Sequence, residues 1–432
     1  MRLAFYGGMV NNLYVAARAF ADLGARPLFI RDRDNATVFS QPCWQDMRLS
    51  LSFEQWSAAN AWDWAAWSRW ERTLGWNAPP WLADPLDDPQ PMPALDARPH
   101  HAALVRWLYR NSPHAGAVLR LMRRCDAVVA CGVHATILAL VSGRPFCIWP
   151  HGSDIRMAAG LGPQAGGTSP RDRAAAALTR LLLRAAYRKA RFATYANPTA
   201  GGGHTGNVRE AGLGCPFRLV LFPAPLAPGP AGPRPEALRR TLEGLGLPAP
   251  GGAVVGLVPS RVDFFWKGQD MALHALAQAP RTEGLRLLFT GWGADLPRAR
   301  DMAASLGLED RVAFIPRVFS RPLLAELFHG ADFALDQFRI GHPGTSALEA
   351  MGCGTPVVMR LDAAAYAREG IPAPPVINVA TPRELAGAFT ALAQGDPDPA
   401  ALGRAAQAWL AGHHGAAAAL RAITDGLEPG GG

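Results

Sequence analysis

Gly341-His342-Pro343-Gly344-Thr345-Ser346-Ala347-Leu348-Glu349-Ala350-Met351-Gly352-Cys353-Gly354-Thr355-Pro356-Val357-Val358 reads as a loop, a short helix and the start of a strand. An apolar run over 333–335 precedes it and ends in Asp336-Gln337. Thr345 or Ser346 is the expected N-cap, because a hydroxyl there satisfies N–H groups that the first helical turn leaves open. Those N–H groups and the partial positive charge of a helix start also suit a phosphate. Gly344 lets the backbone approach an anion closely. Glu349, one turn further on, can accept hydrogen bonds from a ribose diol. The plainer alternative is an ordinary strand–helix turn with a solvated glutamate.

The same alternation extends in both directions. Short apolar runs at 253–258, 285–290, 312–315, 333–335, 356–359 and 376–379 are separated by helical stretches at 269–277, 296–306, 322–328 and 346–351. In the first half, runs at 3–6, 26–30, 127–130 and 146–149 accompany a helix near 12–23. Strand–helix alternation argues for parallel sheets covered on both faces. The expected fold class is therefore α/β, with two doubly wound, Rossmann-like domains facing a central cleft. Six prolines among the fourteen residues 222–235 exclude a helix or central strand there and mark a linker. The expected organisation is an N-terminal domain over 1–222 and the linker over 223–235. A C-terminal domain over 236–405 follows, then a helix over 406–425 that packs back on the N-terminal domain, and a disordered tail over 426–432.

Other stretches place charge at strand ends. Ser260-Arg261-Val262-Asp263-Phe264-Phe265-Trp266-Lys267-Gly268 follows a strand, so Arg261 and Lys267 can clamp a diphosphate from two sides. Lys267 is one of only two lysines, with Lys189, in an arginine-rich chain. The alternative is a surface loop with two solvated charges. Trp149-Pro150-His151-Gly152-Ser153-Asp154 also follows a strand and offers His151 and Asp154 as candidates for catalysis, or a satisfied structural histidine. Gly7, Gly8, Asn11 and Asn12 join the first strand to the first helix and do not match a dinucleotide fingerprint.

Taken in order, the GlyGly turn, HGSDIR, Ser-Arg with Lys-Gly downstream, LFTGWG, DRV-x-FIP and LEAMGCGTPVV resemble the family 4 glycosyltransferases of GT-B fold. The likeness is strongest over 254–358, looser over 1–30 and 126–156, and does not cover 44–120 or 227–250. It implies a retaining, metal-independent transferase with a nucleotide-diphosphate sugar as co-substrate and no cofactor. It implies donor binding by Arg261, Lys267, Gly344, Thr345, Ser346, Glu349 and His342, with Arg317 beside the base. His151 then lies near the reacting sugar, and Gly7, Gly8, Asn11 and Asn12 on the acceptor side. One departure stands out: the family's first glutamate, eight residues before Glu349, is Gly341 here. Either His342 substitutes in part, the donor sugar is unusual, or transfer is impaired.

Composition limits the partners. The 43 basic and 35 acidic residues give +8, which fits an anionic small molecule, a membrane surface or nucleic acid. Nucleic acid is disfavoured, because no recognised binding module accompanies the charge. Six cysteines without CxxC or His-paired spacing read as buried free thiols rather than a disulfide framework or metal site. The start of the chain reads as a strand, and the most apolar run, 127–141, is shorter than the ~20 residues that span a bilayer. The expected location is cytoplasmic, peripheral to the inner membrane face if either of two features binds lipid. One is the basic helix from Arg173 to Arg191, whose arginines recur at three- to four-residue spacing. The other is a cluster of eight of the thirteen tryptophans within 44–81. Trp56, Trp64, Trp67 and Trp70 share about 120° of one helical wheel, a stripe that serves as core, sugar platform or membrane anchor. The expected reaction is sugar transfer from a nucleotide donor to a glycan or lipid-linked acceptor. The competing readings are a non-catalytic sugar-nucleotide-binding protein and another GT-B activity such as an epimerase or α-glucan synthase.

Overall fold

The computed structural model describes residues 1–8, 11–33, 37–112, 114–150, 152–160, 169–195, 212–221, 223–224, 233–247 and 251–428. His151 and most of the proline-rich linker lie outside the described residues. In chain order the strands of the first half are Arg2–Gly7 (β1), Arg26–Ile30 (β2), Ser50–Ser52 (β3), Leu82–Ala83 (β4), Ala127–Cys131 (β5), Phe146–Ile148 (β6), Phe192–Tyr195 (β7) and Phe217–Leu219 (β8). Those of the second half are Val254–Val258 (β9), Leu285–Thr290 (β10), Val312–Ile315 (β11), Arg317–Phe319 (β12), Phe333–Leu335 (β13), Val357–Met359 (β14) and Ile377–Asn378 (β15).

Two parallel sheets result. One has the order β4-β2-β1-β5-β6-β7-β8, the other β11-β10-β9-β13-β14-β15. Both are buried on both faces, which is why their strands read as unbroken apolar runs. On β1, Ala4 and Tyr6 enter one core while Leu3 and Phe5 enter the opposite one. On β9 and β10, Val258, Leu287 and Phe289 face one side, and Val255, Leu257 and Leu288 the other. Gly7 ends β1 at φ +87, and a Cβ there would sit 2.0 Å from the Cys131 carbonyl oxygen, so only glycine lets β1 and β5 close up here.

The C-terminal boundary differs from the sequence expectation. Helix Pro399–His413 is continuous through 405/406 and packs Ala406, Trp409 and Leu410 into the second domain's core. The break falls at His414-Gly415. Helix Ala416–Leu427 then lays Ala419, Ile423 and Leu427 against Phe5, Phe20 and Phe192 of the first domain, and so runs past the expected start of a tail at 426.

The tryptophan segment also differs. Trp56 and Trp64 to Trp70 do not share one helix: Phe53–Ala59 and Trp64–Leu74 are separate, the second started by Asp63, whose side chain accepts from Ala66 N. Trp44 and Trp67 are 1% and 0% exposed and form core, while the other tryptophans of the segment are half-buried. The surprise is its partners. Val318 of β12 lies in the same cluster, with Trp292 packed against it. β3 pairs antiparallel with β12, Arg317 opposite Ser52. Leu49 and Ser320 exchange bonds: Ser320 N–H donates to Leu49 O (2.9 Å), and Leu49 N–H to Ser320 Oγ (2.7 Å). The segment is held to its own sheet by Arg31–Glu71 (2.8 Å), by Arg33 on Asp84 and by the Arg33 guanidinium 4.1 Å over the Trp64 ring. Burial pushes the Arg33 pKa down to about 10.

All six cysteines are free thiols, five of them buried. Among the described residues, no helix is long and apolar enough to cross a membrane.

Replacing Trp67 with alanine should lower the unfolding free energy by about 3–5 kcal/mol, as for other buried aromatic truncations. Arg48→Ala, which removes a pair with Glu326 between side chains 58% and 37% exposed, should cost no more than about 1 kcal/mol. Urea denaturation followed by tryptophan fluorescence reads both.

Candidate functional site

The carboxyl edge of the second sheet carries the site. Here β13 ends and the next residues, Asp336 and Gln337, form a two-residue post. Lys267 Nζ donates to Gln337 Oε1 at 3.0 Å and lies 3.5 Å from Asp336 Oδ1. Gly344 N–H donates to Asp336 Oδ2 at 2.6 Å, and Gln337 Nε2 to the His342 carbonyl at 2.5 Å. Phe338 N–H donates to Lys267 O at 2.8 Å, closing the loop against the lysine's own backbone. Lys267, Gly344 and His342 are thus brought together, as the sequence suggested.

The helix Thr345–Gly352 begins one residue earlier than expected. Gly344 is its N-cap, and no side chain caps this end. Thr345 and Ser346 are not the cap, because Asp336 occupies the space: a Cβ on Gly344 would lie 2.8 Å from Asp336 Oδ2. Gly344 N–H is therefore already engaged, and the open donors for an anion are those of Thr345 and Ser346.

Glu349 is 8% exposed, and Arg321 Nη1 donates to its Oε2 at 2.6 Å. Burial raises its pKa, and the Arg321 charge works against that rise. Arg321 and Arg339 were not singled out in the sequence. A cation in the first turn of a helix opposes the dipole, so the run Ser320-Arg321-Pro322 hinted at a fixed partner. Arg339 Nη2 donates to Asp270 Oδ2 at 2.8 Å and flanks Gly268.

Arg261 is half exposed, its Nε 3.1 Å from Asp263 Oδ2, and it does not touch Lys267. Its loop is braced by Gln269, whose Nε2 donates to Arg261 O at 2.7 Å. Arg317 lies on β12 with Nη1 3.4 Å from Ser50 Oγ. His342 is buried, which lowers its pKa, and its Nδ1–H donates to Pro343 O at 3.1 Å. A Cβ on Gly341 would come within 3.0 Å of Asp362 Cβ.

On the first sheet's carboxyl edge, Asp154 is 3% exposed, and its Oδ1 accepts from Gly152 N (3.1 Å) and Ile155 N (2.8 Å). Asn11, at φ +58, donates from Nδ2 to Gln41 O at 2.6 Å, tying the first loop to the tryptophan segment. Asn12 starts the first helix, and Gly7 and Gly8 are both at positive φ. Tyr195, last in β7, donates to Glu369 Oε2 at 2.8 Å, a hydrogen bond from the first domain to the end of helix Ala363–Arg368 in the second.

Residues 257–373 match the family described as Glycosyl transferases group 1. A stretch of 97 residues is 38% identical to the D-inositol 3-phosphate glycosyltransferase of Mycobacteroides abscessus, covering 21% of each chain. The match thus spans about a fifth of that curated relative. Over 98% of both chains the fold resembles Anabaena HepE in complex with UDP-glucose, with a TM-score of 0.61 at 18% identity. WaaG, a glycosyltransferase involved in lipopolysaccharide biosynthesis, gives a TM-score of 0.54 at 15% identity over 98% of this chain and 100% of its own. The architecture is that of the GT-B glycosyltransferases, two Rossmann-like domains, with a group 1 domain at residues 257–373.

Proposed function

We propose that the protein is a retaining, metal-independent glycosyltransferase that takes a sugar from a nucleoside-diphosphate donor to a glycan or lipid-linked acceptor. The observation that carries this reading is the convergence of Lys267, the uncapped helix start at Thr345 and the buried Glu349 on one sheet edge, inside the matched segment. A diphosphate between Lys267 and the Thr345–Ser346 N–H groups meets fixed donors, which stabilise charge that develops as the glycosidic bond to phosphate breaks. Glu349, whose charged form Arg321 favours against the effect of burial, accepts the ribose hydroxyls. HepE is a structural neighbour described with UDP-glucose bound, which supports this class of donor. His151 and Asp154 are the proposed residues at the reacting sugar, and Gly7, Gly8, Asn11 and Asn12 those nearest the acceptor. The helix Pro170–Lys189 exposes Arg173, Arg184 and Arg188 around Leu181, itself 46% exposed. It is the proposed contact with an anionic membrane.

A second reading is a protein that binds the sugar nucleotide without transfer. Gly341 favours it, since it supplies no carboxylate at the position where the family has one.

Lys267→Ala should lower turnover by about 10²–10³-fold, the loss seen when one such donor is removed. Wild-type turnover in this variant rejects the mechanism, whereas nucleotide binding without any turnover in the parent supports the second reading. Among UDP, GDP and ADP, the true nucleotide at 100 times its dissociation constant should stabilise the fold by about 2.7 kcal/mol in a thermal-shift screen. An ionised Glu349 is the acceptor, so nucleotide affinity should fall as pH drops through its raised pKa. Arg321→Met removes a lowering influence and should move that loss to higher pH, while Arg321→Lys should not; calorimetry across pH compares them.

A further inference from the structure

Glu349 gives the site a direction. Its partner Arg321 opens the helix Arg321–Gly330, two residues after β12 ends. A nucleotide with its phosphates at Lys267 and Thr345 and its ribose at Glu349 therefore continues toward β12 with its base. β12 pairs not with its own sheet but with β3 of the first domain. We infer that the tryptophan-rich segment, residues 37–76, completes the nucleoside end of the nucleotide site.

This rests on the nucleotide-binding reading above and goes beyond it in giving the first domain a part in donor recognition. Side chains alternate along β12, so Val318 is buried among the tryptophans while Arg317 faces the other way, half-buried, against Ser50 Oγ. The loop after β10 is held likewise. Gly291 N–H donates to Ile315 O at 2.6 Å, setting Trp292 beside the strand that leads to Arg317. The Trp292 ring is gripped by Phe39 at 5.0 Å and Trp56 at 5.5 Å, and remains half exposed. Trp292 O accepts from Val262 N at 2.8 Å, so the same contact reaches the loop that carries Arg261 and Lys267. Phe39, Trp56 and Ser50 are positioning residues for Trp292 and Arg317, and the ligand part they serve is a planar heterocycle.

Pyrophosphate separates this role from general damage, because it takes up the diphosphate groups around Lys267 and the helix start and has no nucleoside end. Trp56→Ala should weaken binding of the preferred nucleoside diphosphate by about tenfold, the worth of a good aromatic contact, and leave pyrophosphate affinity unchanged. Trp56→Phe should restore it. If Trp56→Ala does not fold, Phe39→Leu on the other side of Trp292 gives the same comparison. Equal loss for both ligands, or no loss for either, overturns the inference. A parent protein that binds pyrophosphate but no nucleoside diphosphate overturns the nucleotide reading itself, and this inference with it.

Discussion

The three-residue antiparallel pairing of β3 with β12 fixes how the two sheets face each other. The helix Ala416–Leu427 also crosses back to the first domain, and the ribbon ties the domains close to Arg317. A path of packed rings ending in one backbone hydrogen bond runs inward from it. The ribbon places Val318 under the tryptophans, the tryptophans hold Trp292, and Trp292 O holds Val262 N. The loop beginning there ends at Lys267, whose carbonyl takes Phe338 N–H and whose amine takes Gln337. The last link joins backbone groups, and Lys267 itself is held within its own domain by Gln337 and Phe338.

Charges at the site are paired in advance. Lys267 faces Asp336, Glu349 faces Arg321, Arg261 faces Asp263 and Arg339 faces Asp270. Such pairs keep cations in place within a partly dry cleft, where an unpaired charge is expensive. They also set the terms for an incoming diphosphate. Arg261, half exposed, can turn to it at little cost, whereas Lys267, 18% exposed, must share itself with a carboxylate that is 1% exposed. Asp336 thus fixes the lysine and the helix start while competing with the anion they attract.

What was legible in the sequence was local. The helix at Thr345, Lys267 at a strand end and Glu349 one turn inside are set by spacing within a few residues. The N-cap was not legible as Gly344, because the deciding neighbour is Asp336, eight residues back, which fills the space a hydroxyl side chain needs. Arg321 bonds Glu349 from 28 residues away. The tryptophans misled for the same reason on a larger scale. Their wheel presumed one helix, and their partners Val318 and Trp292 lie more than two hundred residues along the chain. β3 and β12, three residues each, are too short to show a period.

Gly341 is the remaining question of chemistry, and its surroundings bear on it. Asp362 N–H donates to Gly341 O at 2.8 Å, and a Cβ on Gly341 would press on Asp362 at 3.0 Å. The loop is drawn in toward the turn that starts helix Ala363–Arg368, so a glutamate at 341 needs that turn to shift. The missing carboxylate is thus part of how this loop packs. The groups proposed to hold a departing diphosphate, Lys267 and the Thr345–Ser346 N–H donors, do not depend on it. Under the proposed function, a glycine at 341 leaves the means of leaving-group departure intact and withholds a carboxylate from the transferred sugar, which bears on which sugar is taken before it bears on whether transfer occurs.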